Sequence, residues 1–505
     1  MPRQILESYK IKCDDITVDI KISKGEGQSI LYQVSISEIS EATLALLDEV
    51  RNILITEVQI SAKEIIDPKI VDTLKEKFRK KASEILVSKL TAIDTQTKDF
   101  LINHLIREML GLGKIEFLLN DLNIEEIVIN SANEPVRIYH KNYGWIETNI
   151  IVETESQIQN YSNIIARRVG RQINTLNPLL DAHLLTGDRF NAVLYPISSK
   201  GNSITIRKFS RDPWTVTDFI KNKTVNSEIM SIIWLAMQYE MNMIISGGTA
   251  SGKTSFLNVC MPFIPPNHRI ISIEDTRELQ LPSYLYWCPL VTRLPNPEGK
   301  GEVNMLDLLI NSLRMRPDRI ILGEVRRKKD AEVLFESMHT GHSVYTTVHA
   351  NNVTETIQRL VNPPIEIPEN LLDAVQLNVV MFRDRRRGIR RIYQLGEFIG
   401  GEQESGKLTM RGNILYRWKP TTDEIIKHGE SVKLFEELSR HTGFNQNEID
   451  NDIKEKQDIL DWLVKKNIRS VEQVGYVMNL FYTNKEELIK KVKKNVDFEG
   501  LKKND

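Results

Sequence analysis

Eight consecutive residues, Gly247, Gly248, Thr249, Ala250, Ser251, Gly252, Lys253 and Thr254, have the types and spacing needed to wrap a polyphosphate. The glycines let backbone N–H groups turn inward around phosphate oxygens with no Cβ in the way. Lys253 can reach the β- and γ-phosphates, and the Thr254 hydroxyl is the kind of ligand that Mg²⁺ takes. The flanks matter as much. An apolar strand pattern, Met243 to Ser246, precedes the stretch, and an apolar run from Phe256 follows it. The helix start there adds its unpaired N–H groups and the positive end of its dipole. A glycine-rich turn arising by chance carries neither flank.

Binding is not hydrolysis, which also needs a water-polarising group and an acid near the metal. Glu274, Asp275 and Glu278 cluster at the end of the strand-like run Arg269 to Ile273, and Glu324 follows a second such run, Arg319 to Leu322. Each acid alone could be a helix cap or a surface charge. Two strands ending in acids beside a phosphate loop form the arrangement that a metal–ATP site requires. His339, His342 and His349 fall within one short stretch. No cysteine or carboxylate pattern completes a zinc site, and His342 and His349 flank a strand instead of sharing a helix face. Sensing or positioning the γ-phosphate from a strand end suits them better.

The elements that must hold these groups alternate. After the phosphate loop come a strand to Ile273, a helix from Asn304 to Met315, a strand to Leu322, a helix from Asp330 to His339 and a strand from Ser343 to Val348. Leu377 to Phe382 and Ile389 to Phe398 add final sheet pieces. Strand–helix alternation implies a parallel α/β sheet with its site along the C-terminal edge. Upstream, Ser227 is placed to cap a helix, and residues 212–226, opening with Asp212-Pro213-Trp214, read as a hinge-like linker.

Residues 96–211 predict an α+β domain, with helices through Leu101–Met109 and Gln157–Val169, apolar segments at Ile115–Leu119 and Ile124–Asn130, and strands at Val136–Tyr139 and Trp145–Val152. A tight turn at Leu184–Gly187 leads into Arg189, and Ser203 to Phe209 alternates as a strand with Thr205 and Arg207 on one face. Residues 1–95 read as an accessory domain with strands at Ile16–Ile22 and Ile30–Ile36 and a helix carrying Val71, Leu74 and Phe78 on one face. Residues 401–505 read as a hairpin and helical appendix ending in a Lys-rich tail, after a RecA-like unit at 227–400. The run Arg383-Asp-Arg-Arg-Arg-Gly-Ile-Arg-Arg391 reads as a solvated basic turn in preference to a lipid or subunit contact.

Composition sets bounds. At 505 residues the chain must divide into domains, and 67 Lys+Arg against 68 Asp+Glu give no global case for nucleic-acid binding. Three dispersed cysteines indicate neither a disulfide framework nor a cysteine zinc site, and fit a reducing, cytosolic setting. The start of the sequence lacks a signal-peptide pattern, and its most apolar run, Ile229 to Met237, is too short to span a bilayer. Any membrane role is therefore expected to be peripheral.

Four motifs in order, Gly247–Thr254, Ile273-Glu-Asp-Thr-Arg-Glu278, Arg314-x-Arg-Pro-Asp-Arg-Ile-x-x-Gly-Glu-Val-Arg326, and Thr340-Gly-His342 with Thr346-Thr-Val-His349-Ala-Asn, resemble those of the type II/type IV secretion ATPases. There they are the Walker A motif, Asp box, atypical Walker B motif and His box. Gly111-Leu-Gly-Lys-Ile-Glu-Phe-Leu-Leu-Asn and Ile124-Glu-Glu-Ile-Val-Ile-Asn130 are most similar to the archaeal branch, which drives archaella and type IV pili. The resemblance spans about residues 100 to 480. It implies ATP and Mg²⁺ as cofactors, arginine fingers at Arg189 and Arg207, and catalytic roles among Glu274, Glu278, Glu324 and His349. With Gly323 preceding Glu324, Mg²⁺ leans on Thr254 and, through water, on acids such as Asp275; the choice of base among the three glutamates stays open. The resemblance also implies a cytoplasmic homohexamer, a polytopic membrane platform protein as partner, a peripheral membrane contact and pilin-type filaments as cargo. DNA translocation of the conjugation type and a nucleotide-gated scaffold without turnover are the alternatives.

Overall fold

Strands rich in Ile and Val, apolar at nearly every position, suit a sheet covered on both faces. In the computed structural model they make its centre. The described residues are 3–13, 16–25, 29–35, 39–58, 68–90, 93–184, 187–209, 212–295, 298–402 and 408–501. They fall into two units, Met1–Arg211 and Asp212–Asp505. Ile36, Leu185, Thr186, the side chain of Val71 and the tail beyond 501 lie outside the described residues.

The second unit is built on a nine-stranded sheet in the order Tyr286–Val291, Arg269–Glu274, Arg319–Leu322, Ser343–Val348, Met243–Gly247, Leu377–Asp384, Ile389–Glu402, Leu408–Lys419 and Glu424–Lys427. The first six run parallel and the last three continue antiparallel. Met243 and Ile245 enter one core while Ile244 enters the core on the opposite face, as a period of two demands. The parallel α/β core expected from the alternation is present. Strand Tyr286–Val291 and helix Val353–Val361 were not anticipated.

Three expected boundaries change. Residues 212–226 are no open hinge: helix Val216–Lys221 forms there, and Val216, Phe219 and Val225 are buried in the core. The Thr215 N–H donates to the Asp218 carboxylate, a local cap that starts the helix. The next helix, Ser227–Gln238, is capped by Asn226, whose Oδ1 accepts from Ile229 N, and not by Ser227. Residues 401–505 are no separate appendix either. Their hairpin extends the sheet, and Leu434, Ile459 and Phe481 share the core of helix Ser227–Gln238, with the rings of Phe481 and Trp234 4.7 Å apart.

The first unit also carries nine strands, in the order Gln4–Cys13, Ile16–Lys24, Ile30–Ser35, Gly144–Ile151, Pro135–His140, Ile124–Ile129, Ser203–Arg207, Arg189–Val193 and Leu179–His183. The expected division at residue 95 is absent. Strand Ile30–Ser35 pairs with Gly144–Ile151, and the hydroxyls of Tyr9 and Tyr32 both donate to Asp121 Oδ2 at 2.5 Å. Val18, Ile20 and Ile22 alternate apolar on one face and find cover only by joining that sheet's core. Helices Glu41–Glu57, Pro68–Lys89 and Thr95–Leu110 form a second cluster that straddles residue 95. Ile115–Asn120 is helical.

Candidate functional site

The phosphate loop leaves the C-terminal end of strand Met243–Gly247 and enters helix Lys253–Cys260. Gly247 has φ +155, and a Cβ there would stand 2.4 Å from Ser251 Oγ and 2.7 Å from the Met381 carbonyl oxygen. Only glycine fits. Gly252 is left-handed at φ +94, and Ala250, at φ +59, adopts the same region despite its side chain. Lys253 folds back along the loop, its Nζ donating to the Gly247 and Gly248 carbonyls at 2.9 and 3.2 Å. Burial pulls its ammonium below the usual value, while Glu324 acts in the opposite direction.

Parallel register brings the other candidates to the same edge. Ser246 pairs with Val348, so His349 stands beside the loop, and its Nδ1 lies 3.5 Å from Lys253 Nζ. His349 Nε2 lies 3.0 Å from Glu324 Oε1. Glu324 Oε2 accepts from Arg326 Nε and Nη2 at 3.0 and 2.7 Å, and Arg326 Nη1 reaches Asp275 Oδ2 at 3.2 Å. Lys253, His349, Glu324, Arg326 and Asp275 thus form one continuous polar chain across three neighbouring strand ends and the loop. Its partners settle the imidazole: an ammonium can only donate to Nδ1 and a carboxylate can only accept from Nε2, so His349 is neutral with its proton on Nε2. Burial first, then Lys253, lowers the His349 pKa, which keeps that form.

Glu274 behaves differently from Glu324. It is buried, and its Oε1 accepts the N–H groups of Glu278 and Leu279 at 2.9 and 3.1 Å. Burial raises its pKa to about 7, against the lowering effect of those two hydrogen bonds. This carboxyl shapes the loop that carries Asp275 and Glu278. Asp275 and Glu278 are themselves exposed. Thr254 lies in the first turn of its helix and is half-buried.

His342 does not join the cluster. It precedes strand Ser343–Val348 whereas His349 follows it, so the two sit at opposite edges of the sheet, about 20 Å apart at the usual rise of a strand. His342 Nδ1 lies instead 3.3 Å from the Ser337 carbonyl. The structure therefore does not bring His342 to the phosphate loop, where the sequence placed it.

Arg189 and Arg207 belong to the first unit, where they are paired directly across adjacent antiparallel strands. Both are exposed on the same sheet face, with Phe190 and Ile206 buried on the other. Asp181 orients Arg189, accepting from Nε at 3.2 Å and Nη2 at 2.8 Å. The role of Arg326 as a bridge between two acids was missed by sequence reasoning, although the residue closes the Walker B-like motif. Asp181 was missed too; only its position one strand before Arg189 hinted at it.

A family model described as Type II/IV secretion system protein matches residues 114–383. The chain is 36% identical over 399 residues to the protein MJ0900 of Methanocaldococcus jannaschii, covering 77% of this chain and 71% of that one. The chain belongs to the type II/IV secretion system family. Another relative is the conjugal transfer protein TrbB of Rhizobium radiobacter, 29% identical over 262 residues, 51% of this chain and 77% of that protein. Among solved structures, the VirB11 ATPase of the Brucella suis type IV secretion system, in complex with sulphate, is 26% identical with a TM-score of 0.29, covering 56% of this chain and 93% of that one. The family match contains the phosphate loop, Glu274, Glu324 and His349, together with Arg189 and Arg207. Among the described residues no helix is long and apolar enough to cross a membrane.

Proposed function

We propose that this secretion-family chain is an ATPase that binds ATP at the Gly247–Thr254 loop and hydrolyses it to drive filament assembly or secretion. The continuous polar chain from Lys253 to Asp275 carries the reading, because it ties the phosphate loop to the acids that hydrolysis needs. The residues fit the ligand. The loop is a cradle that a Cβ on Gly247 would fill, and Thr254 and Asp275 supply the hard oxygen donors that Mg²⁺ takes. Bound Mg²⁺ would neutralise charge on the phosphates. Lys253 would trade the loop carbonyls for β- and γ-phosphate oxygens. Glu324, aligned by His349 and Arg326, would orient the attacking water and take its proton. Arg189 and Arg207 would supply positive charge to the transition state.

The finer assignment extends to a cytoplasmic homohexamer acting on a polytopic membrane platform protein, with pilus-like or archaellum filaments as cargo. The conjugal-transfer relative favours a second reading, DNA movement. A net charge of −1 weighs against it, and strongly salt-dependent DNA binding would revive it.

The test is Glu324→Gln in the full chain. It should keep the affinity for a fluorescent ATP analogue and lower turnover by about a hundredfold or more. A wild type that binds ATP yet shows no turnover at any protein concentration, with or without lipid, would make the chain a nucleotide-gated scaffold instead.

A further inference from the structure

The proposed activity uses none of the arginines between Arg383 and Arg390, and the structure separates them by role. Arg385, Arg386 and Arg387 form the exposed tip of the turn joining strands Leu377–Asp384 and Ile389–Glu402. Asp384 Oδ1 closes that turn by accepting the N–H groups of Arg386 and Arg387 at 2.9 and 3.1 Å. Arg391 is buried and anchors the base through Asp423 and the Asn222 carbonyl. Strand Leu377–Asp384 runs beside the phosphate-loop strand with Met381 opposite Gly247, so the turn leaves the sheet at the edge where the loop sits.

Arg390 reaches back to the loop. Its Nε donates to the Ala250 carbonyl at 3.2 Å, and its Cδ lies 3.3 Å from where a Cβ on Gly252 would stand. Ala250 is left-handed, a conformation unfavourable for any residue with a Cβ, which persists only when its surroundings impose it. A charged donor on its carbonyl is such a restraint.

We propose that Arg390 is a positioning residue of the phosphate loop. By fixing the Ala250 carbonyl it keeps the loop's N–H groups turned toward the phosphates, and so sets nucleotide affinity without entering the chemistry. This rests on the proposed nucleotide binding at the same loop.

The test is binding of a fluorescent ADP analogue with Mg²⁺ to the full chain. Arg390→Ala should weaken binding about tenfold or more, the usual worth of one charge-assisted hydrogen bond. Arg390→Met keeps the aliphatic stem against Gly252 and should weaken it as much; Arg390→Lys should recover part. Arg386→Ala, at the turn tip, should bind as wild type. In turnover, Arg390→Ala should raise KM and leave kcat unchanged. Wild-type affinity in both Arg390→Ala and Arg390→Met overturns the proposal, as does a fall in kcat at constant KM, which would put Arg390 in the chemistry. A wild type that binds no nucleotide overturns this proposal and the proposed function together, whereas equal binding by wild type and variants removes this one alone.

Discussion

Glu324 and His349 face each other across the ends of two adjacent parallel strands, Oε1 to Nε2 at 3.0 Å. Neither position is near the other in sequence. The contact makes Nε2 the donor, leaves Nδ1 as the acceptor that faces Lys253, and gives the carboxylate one fixed oxygen.

His349→Ala should therefore lower kcat by about ten- to a hundredfold while nucleotide affinity changes little, since the residue aligns Glu324 and does not cradle phosphate. The pH dependence follows from the direction of its shift. Burial and Lys253 hold the His349 pKa below the usual value, so the neutral form prevails at pH 7. Acidification protonates Nδ1, removes the acceptor facing Lys253 and should cut turnover only below about pH 6.5. A kcat–pH profile for wild type and His349→Gln checks this. An acid limb unchanged in the variant would assign the titration elsewhere.

Glu274 makes stability depend on pH in the opposite sense from an ion-paired carboxylate. Its folded pKa of about 7 exceeds the ordinary 4.5, so between those values the folded state holds more protons than the unfolded state. Stability from this group is present below about pH 4.5 and is lost as pH rises toward 7. Glu274→Gln keeps an oxygen for the Glu278 and Leu279 N–H groups and removes the titration. Relative to wild type, the variant should gain up to about 3 kcal/mol between pH 4.5 and pH 8, read by urea denaturation. A pH-independent difference would sink the prediction.

Arg189 and Asp181 form an exposed pair, worth little to the fold. If Arg189 is an arginine finger, Arg189→Ala should lower kcat by about a hundredfold or more. Asp181→Asn, which loosens its orientation, should lower kcat less, and neither change should move stability by more than about 0.5 kcal/mol. Turnover beside thermal melting separates the roles, and an Arg189→Ala variant with wild-type kcat would leave Arg189 a surface residue.

The sequence alone determined the local chemistry. The order of strand, glycine-rich loop and helix around Lys253 is encoded in neighbouring residues, because backbone hydrogen bonding and side-chain periodicity act over a few positions. The same holds for the strands that end in Glu274 and Glu324. Tertiary structure alone decided which strand ends share an edge. His342 and His349 look equivalent in sequence, and only parallel register beside Met243–Gly247 brings one to the loop and carries the other a strand's length away. Arg390 read as part of a solvated basic turn and Arg326 only as the last residue of a motif, until pairing between distant strands gave them Ala250 and Asp275 as partners. The strands at Ile16–Lys24 and Ile30–Ser35 read as part of a separate domain because their alternation names a buried face without naming what covers it. Burial of that face is a long-range contact, so only the folded sheet could supply its cover.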